Sequence, residues 1–157
     1  MRSRCRQEFN PPSRLLMGAG PSNAHPRVLQ SMAAPLLGHL DPDFLQLMDD
    51  IREMLHDLFR SKGGFCIPVS GTGTAGMEAT LVNVLERGDT IVVAANGFFA
   101  DRMIDIARRC GAQAIPIEFE WGFPIDPDIL RKEIQKHPSI KVLAAVHAET
   151  STGILNP

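Results

Sequence analysis

Residues 65–86 read FCIPVSGTGTAGMEATLVNVLE, and this stretch decides the fold because a glycine-rich turn joins two different hydrophobic patterns in it. The apolar run 65–69 is as short as a buried strand, whereas residues 75–86 have the spacing of an amphipathic helix. Gly71 and Gly73 let the backbone come close to an anion, and the following helix offers free N–H groups at its positive end. The turn therefore predicts a phosphate site between a strand and a helix.

The same turn also matches the dinucleotide-binding pattern G-x-G-x-x-G, from Gly71 to Gly76. That pattern requires an acidic residue at the end of the next strand, where it binds the ribose hydroxyls. The next predicted strand is followed by Asn96, while Asp89 lies before this strand and Asp101 in the helix after it. A nucleotide site is therefore the weaker interpretation, and a tight turn without a ligand stays open from this segment alone.

Length and composition limit the classes of protein to consider. The chain has 157 residues, 44% of them apolar, which fits one domain with a buried core. Its net charge of −2 and the lack of a basic stripe argue against a nucleic-acid partner, and no apolar run has the roughly 18 residues of a membrane helix. Cys5, Cys66 and Cys110 are odd in number and far apart, which predicts a reducing, cytoplasmic compartment and no metal site.

Beyond the turn, short apolar strands alternate with helices, which predicts an α/β fold with a mainly parallel sheet and helices on both faces. The predicted strands are 65–69, 90–95, 112–118 and 140–147, and the predicted helices are 75–86, 99–110 and 127–137. A long helix after Asp41 and Pro42 is expected to bury one apolar stripe. The region up to Leu40, rich in Pro and Gly, is expected to form an extended N-terminal arm.

Three polar or glycine-rich segments follow predicted strands, at residues 70–74, 96–99 and 148–153. Because the carboxyl ends of parallel strands meet at one edge of a sheet, these segments are expected to form a single crevice. Glu149 in the third segment is expected to hold its loop. His39 and His147 are interpreted as packing or hydrogen-bonding residues.

Five stretches, in the same order along the chain, resemble the N-terminal half of a class V, fold-type I pyridoxal-phosphate aminotransferase, and most of all the alanine–glyoxylate and serine–glyoxylate group. They are LMGAGPSN (16–23), GHLDP (38–42), VSGTGTAGMEA (69–79), ANGFF (95–99) and HAETSTG (147–153). The resemblance implies a partial large domain over residues 41–157, which binds the cofactor. It also implies an arm of residues 1–40 that includes a substrate-pocket segment, and a homodimer.

The resemblance assigns cofactor contacts within those stretches. Thr72, Gly73 and Thr74 match the positions that bind the phosphate of pyridoxal 5′-phosphate. Phe99 matches the aromatic residue that stacks on the pyridine ring, and Thr150 matches a hydroxyl residue on the side of the phenolic oxygen. Of these positions, Thr72, Gly73 and Thr74 also belong to the predicted anion site.

Gly18, Ala19 and Gly20 match the segment that lines the substrate pocket, although relatives usually have Pro where this chain has Ala19. The implied reaction is transamination between an amino acid, of the alanine or serine type, and a 2-oxo acid such as glyoxylate. Both substrates are small molecules. No nucleic acid or membrane takes part.

The family also requires a lysine that forms the Schiff base and an aspartate that pairs with the pyridine nitrogen. In relatives both lie downstream of the segment that matches residues 151–157. The four lysines here, at positions 62, 132, 136 and 141, are not predicted at the crevice. We therefore expect a truncated or fragmentary chain that carries no catalytic residue and is inactive alone. Two alternatives stay open: a non-catalytic phosphate- or nucleotide-binding module, and a remnant that only self-associates.

Overall fold

The computed structural model describes residues 10–157 and forms two compact units that divide between Leu36 and Leu37. Cys5 and the rest of residues 1–9 of the predicted arm lie outside the described residues. No helix in residues 10–157 is both long enough and apolar enough to cross a membrane. The helices are α1 (Pro26–Met32), α2 (Pro42–Phe59), α3 (Gly73–Val82), α4 (Phe98–Arg109) and α5 (Pro127–Ile134), and the strands are β1 (Thr90–Ala95), β2 (Gln113–Glu118), β3 (Val142–Ala145), β4 (Ala148–Glu149) and β5 (Ile154–Leu155).

In residues 10–36, the first unit contains a turn and the helix α1. The Asn23 side chain closes the turn, because its Oδ1 accepts from Leu16 N at 2.8 Å and its Nδ2 donates to Arg14 O at 2.8 Å. The helix α1 begins at Pro26, whose fixed φ suits the first helical position, after a cap by the side chain of His25. Residues 26–32 of the predicted arm are therefore helical rather than extended.

The second unit is built on a three-stranded sheet in the order β2-β1-β3, with both neighbours parallel to β1. Thr90 is paired with Gln113, and Ile91 with Val142. Residues 91–95 of the central strand have no exposed surface, which explains why their sequence is continuously apolar. The predicted α/β fold with a parallel sheet and flanking helices is confirmed.

Most of the core lies on one face of the sheet, where side chains of β1 pack against α3 and α4. Its buried members are Leu81, Leu85, Ile91, Val93, Ala95, Ala100, Met103, Ile104, Ile106, Ala107 and Ala112. The connections β1-α4-β2 and β2-α5-β3 cross the sheet in opposite directions, so right-handed crossovers place α4 and α5 on opposite faces. This arrangement puts the first turn of α4 at the carboxyl end of β1.

One expectation outside the sheet is wrong, and a second is confirmed only in part. Residues 65–69 do not form a strand, because no strand in residues 10–157 lies beside them to share backbone hydrogen bonds. The helix α2 forms as predicted, with Asp41 as its cap, but its apolar stripe is only partly buried. Phe44, Met48, Ile51 and Leu55 are half-buried, whereas Leu58 and Phe59 are 74% and 73% exposed. Residues 10–157 therefore leave the last part of the stripe, at Leu58 and Phe59, uncovered.

Candidate functional site

The turn before α3 presents hydrogen-bond donors to solvent. The helix begins at Gly73, two residues earlier than predicted, because Thr72 caps it: Thr72 Oγ1 accepts from Ala75 N at 3.2 Å. Within residues 10–157, no acceptor pairs with the N–H groups of Gly73 and Thr74 or with the hydroxyl hydrogens of Thr72 and Thr74. These four exposed donors lie at the positive end of the helix dipole, where an anion is favoured.

The two glycines of the turn differ in the space beside them. A Cβ at Gly71 would lie 3.3 Å from the Cβ of Ala75, so a larger residue there would press on the first turn of α3. A Cβ at Gly73 would meet no atom within 4 Å. The donor set and the open space beside Gly73 therefore fit a phosphate group.

Arg102 of α4 links this turn to two aromatic rings. Its Nη1 donates to Thr74 Oγ1 at 2.6 Å, and its guanidinium carbon lies 4.9 Å from the centre of the Phe98 ring and 5.2 Å from that of Phe99. Both distances are in the range of cation–π interactions. Arg102 is not among the site residues predicted from the sequence. Its spacing of four and three residues from the two phenylalanines is the signal that points to it, since such residues share one face of a helix.

Glu149 fixes the start of α4 against the loop that contains Thr150. The Glu149 side chain is fully buried, and its Oε2 accepts from Phe99 N at 3.1 Å and from Ala100 N at 3.3 Å. Its Oε1 accepts from Ser151 N at 3.2 Å and from Ser151 Oγ at 2.6 Å. The expectation that Glu149 holds its loop is confirmed, and its charge also complements the dipole of α4.

The structure thus brings together two of the predicted cofactor-binding segments. Thr150 is exposed and lies in the turn between β4 and β5, which pair antiparallel. Ser151 Oγ, in the same turn, accepts from Phe98 N at 3.0 Å. The half-buried Phe99 and the exposed Thr150 are consequently held on neighbouring segments by Glu149 and Ser151.

Asn96 stands directly after β1, where a dinucleotide site needs an acidic residue. Its side chain is fully buried, and its Nδ2 donates to Phe123 O at 3.0 Å and to Asn156 Oδ1 at 2.9 Å. Asn156 Nδ2 in turn donates to Asn96 Oδ1 at 3.3 Å and to Val146 O at 2.6 Å. Because the Asn96 amide is committed to protein partners, this position is unsuited to bind a ribose.

Two of the lysines are in ion pairs away from the crevice. Lys141 Nζ lies 2.6 Å from Asp89 Oδ2, and these residues precede β3 and β1, so the pair is at the amino ends of the strands. Their hydrogen bond lowers the pKa of Asp89, as does the backbone N–H of Glu86, and it raises the pKa of Lys141. Lys136 Nζ, just after the end of α5, pairs with Oε1 of Glu133 in that helix at 2.6 Å.

The predicted substrate-pocket residues belong to the first unit. Gly18, Ala19 and Gly20 are exposed and lie in the turn that the Asn23 side chain closes. The peptide bond that follows them, from Gly20 to Pro21, is cis. Their role in a substrate pocket stays a prediction.

Comparison with known proteins gives a consistent family assignment. The family model described as aminotransferase class-V matches residues 14–157. The chain is 40% identical over 152 residues to the (S)-ureidoglycine–glyoxylate transaminase of Bacillus subtilis, an alignment that covers 97% of this chain. It is 37% identical over 144 residues to the alanine–glyoxylate aminotransferase of Drosophila melanogaster, covering 92% of this chain. The chain spans 36% of the length of each of these curated relatives.

Solved structures show the same similarity. The alanine–glyoxylate aminotransferase of Nostoc sp. superposes with a TM-score of 0.85 at 45% identity, covering 100% of this chain and 42% of that one. The ureidoglycine–glyoxylate aminotransferase of Bacillus subtilis gives a TM-score of 0.87 at 40% identity, covering 96% of this chain and 39% of that one. Since the family model covers most of the sequence and these structures share its fold, the chain belongs to the class-V aminotransferase family.

Proposed function

We propose that this chain supplies the part of a pyridoxal-phosphate-dependent aminotransferase that binds the phosphate and one face of the cofactor ring. The observation that carries the proposal is the set of exposed donors at Thr72, Gly73 and Thr74, linked to Phe99 through Arg102. When bound, pyridoxal phosphate supplies a ring that takes up electrons from the bond broken at the substrate Cα. The residues of this chain hold and orient that ring.

Each residue of the site has a definite part in the proposal. The N–H groups of Gly73 and Thr74 and the hydroxyls of Thr72 and Thr74 donate to the phosphate, which suits their position at a helix N-terminus. The ring of Phe99 offers a flat apolar face to the pyridine. The hydroxyl of Thr150 donates to the phenolic oxygen. With the phosphate held at the turn, this second contact sets the orientation of the ring.

For the reaction, we propose transfer of an amino group from an amino acid of the alanine or serine type to a 2-oxo acid such as glyoxylate. The names of the relatives, an alanine–glyoxylate aminotransferase and a ureidoglycine–glyoxylate transaminase, support glyoxylate as the acceptor. We further propose that these 157 residues alone do not transaminate. In support, Lys136 and Lys141 are engaged in ion pairs away from the crevice, and Lys132 lies on α5.

The phosphate site is tested with pyridoxine 5′-phosphate and pyridoxine, which lack the aldehyde and cannot react with surface lysines. Titration calorimetry of the full chain is expected to show saturable binding, tighter for the phosphate ester than for pyridoxine. Thr72→Ala combined with Thr74→Ala is expected to remove most of that preference, whereas Thr80→Ala, further along α3, leaves it unchanged. A preference that survives the double substitution contradicts the assigned donors.

The proposed inactivity has a separate test. The chain is incubated with pyridoxal phosphate, treated with borohydride and analysed by peptide mass spectrometry. We expect scattered, substoichiometric labelling of exposed lysines. One lysine labelled stoichiometrically, in a sample that also transaminates alanine and glyoxylate, contradicts the proposal.

We also propose that the protein self-associates as a homodimer, because residues 10–157 leave the C-terminal part of the apolar stripe of α2 exposed. Its most exposed large side chains are those of Leu58 and Phe59. Sedimentation velocity across a concentration series is expected to show a dimer that Leu58→Glu combined with Phe59→Glu weakens, with Glu53→Gln on the same helix as the control. A monomer at every concentration contradicts this part of the proposal.

A further inference from the structure

The phosphate turn carries no positive charge of its own. Residues 65–76 contain neither Lys nor Arg, yet a phosphate monoester has a charge between about −1.5 and −2 at neutral pH. Within residues 10–157, the cationic side chain that hydrogen-bonds to the turn is Arg102, through Thr74 Oγ1 at 2.6 Å. The cation that the turn lacks is therefore supplied by another helix.

The direction of this hydrogen bond determines what the Thr74 hydroxyl can do. A hydroxyl has one hydrogen to donate and two lone pairs, and a guanidinium only donates. With Arg102 Nη1 on one lone pair, the hydrogen of Thr74 stays available, and the positive charge beside the oxygen makes the hydroxyl a stronger donor. The contact with Arg102 thus orients Thr74 to bind an anion.

The two rings beside Arg102 limit where its guanidinium can lie. Its carbon is 4.9 Å from the centre of the Phe98 ring and 5.2 Å from that of Phe99, and the two rings meet edge to face at 5.6 Å. A planar guanidinium can stack on such rings while it donates sideways, whereas the ammonium of lysine cannot reproduce both contacts. The Arg102 side chain therefore sets the distance between the phosphate turn and the rings of Phe98 and Phe99.

We propose that Arg102 is a positioning residue of the phosphate site, which orients the Thr74 hydroxyl toward the phosphate, holds the turn in register with Phe99 and adds the positive charge that the turn lacks. The inference rests on the proposed function, since it takes the same turn to be the phosphate site. It assigns to Arg102 a selective effect on the phosphate group of the ligand. A residue that only stabilises the fold would affect the phosphorylated and unphosphorylated ligands alike.

The test compares affinities for pyridoxine 5′-phosphate and pyridoxine in the full chain by titration calorimetry. Arg102→Gln removes the charge and the stacking guanidinium, and is expected to weaken binding of the phosphate ester about tenfold or more, as for loss of a hydrogen bond to a charged group, with little change for pyridoxine. Arg102→Lys keeps the charge and is expected to recover part of the loss. Arg108→Gln, an exposed arginine of the same helix, is the matched control and is expected to bind as wild type.

Each outcome decides the inference. A selective loss of phosphate affinity in Arg102→Gln, with an unchanged thermal unfolding midpoint or with the selectivity preserved in Arg102→Lys, supports it. Equal affinity for the ester in Arg102→Gln and wild type overturns it, while the proposed function stands if Thr72→Ala with Thr74→Ala still reduces binding. Equal weakening of both ligands assigns Arg102 a structural role only. If the wild type does not prefer the phosphate ester, the proposed function fails and this inference fails with it.

Discussion

The side chain of Glu149 occupies the space that a side chain at Gly97 would need. A Cβ on Gly97 would lie 2.4 Å from Glu149 Cγ, 2.5 Å from its Cδ and 2.9 Å from its Oε2. The φ of Gly97 is 174°, an extended value that any residue adopts, so the requirement for glycine is one of space. The absence of a side chain at this position lets a carboxylate reach the N–H groups that begin α4.

Gly97→Ala is therefore expected to destabilise the chain by about 1–3 kcal/mol, because Glu149 or the backbone must shift to admit the methyl group. Urea unfolding followed by circular dichroism measures the change. Gly76→Ala in α3 is the matched control, since a Cβ there meets no atom within 4 Å and alanine favours the helix. Equal stability of the two variants contradicts the steric argument.

Glu149→Gln is expected to cost about 1–3 kcal/mol of stability at neutral pH. The carboxylate accepts from Phe99 N, Ala100 N and both Ser151 donors, whereas an amide has one oxygen to accept with and its NH₂ group faces donors. Urea unfolding is again the measurement. Glu118→Gln, on an exposed position of β2, provides the control, and a loss of similar size there argues against a specific role of the buried carboxylate.

Asn156→Asp tests the buried amide pair at the end of β1. The substitution replaces an NH₂ group that donates to Asn96 Oδ1 and Val146 O with an oxygen that faces both acceptors. We expect a loss of about 1–3 kcal/mol, measured as a lower urea midpoint at neutral pH. An unchanged midpoint contradicts the hydrogen-bond directions given above.

Phe99→Ala is expected to weaken the binding of pyridoxine and of pyridoxine 5′-phosphate by the same factor, about threefold to tenfold. The substitution removes the face that stacks on the ligand ring, but the Phe98 ring still lies beside Arg102 and the phosphate donors stay in place. Titration calorimetry with both ligands gives the ratio. Phe123→Ala, with a side chain that is exposed, is the control. A loss confined to the phosphate ester contradicts the assignment of Phe99 to the ring.

The ion pair of Asp89 and Lys141 predicts a pH-dependent stability. The hydrogen bond from Lys141 lowers the pKa of Asp89 in the folded chain. Asp89 therefore stabilises the fold fully above its unfolded pKa of about 3.9, and this stabilisation is lost as the pH falls through the lower folded pKa. The same hydrogen bond raises the pKa of Lys141 in the folded chain. Lys141 therefore stabilises the fold fully below its unfolded pKa of about 10.4, and this stabilisation is lost as the pH rises through the higher folded pKa.

Lys141→Met is consequently expected to be less stable than wild type at neutral pH, with a difference that shrinks below about pH 4 and above about pH 10. Urea midpoints across this range measure it. Lys136→Met removes an exposed local pair with Glu133 and is expected to change little at any pH. A constant difference between Lys141→Met and wild type across the range contradicts the ion-pair explanation.

Much of the fold was predictable because it depends on neighbours in sequence. The apolar run 90–95 predicted a strand, and Asp41 with Pro42 predicted the start of a helix, both of which the structure confirms. Residues 65–69 were predicted as a strand from their apolar pattern and are not one. A pattern that favours β structure does not make a strand without a neighbour to share hydrogen bonds.

The sequence by itself determined the local elements, the family resemblance and the glycines and hydroxyls of the turn at Thr72 to Thr74, because each is carried by residues close together in the chain. Only the tertiary structure placed Arg102 on Thr74, 28 residues apart, and Glu149 on the backbone of Phe99, 50 residues apart. No periodicity encodes such contacts. Glu149 reaches Phe99 because the parallel neighbours β1 and β3 end at the same edge of the sheet, and Arg102 reaches Thr74 because α4 packs beside α3.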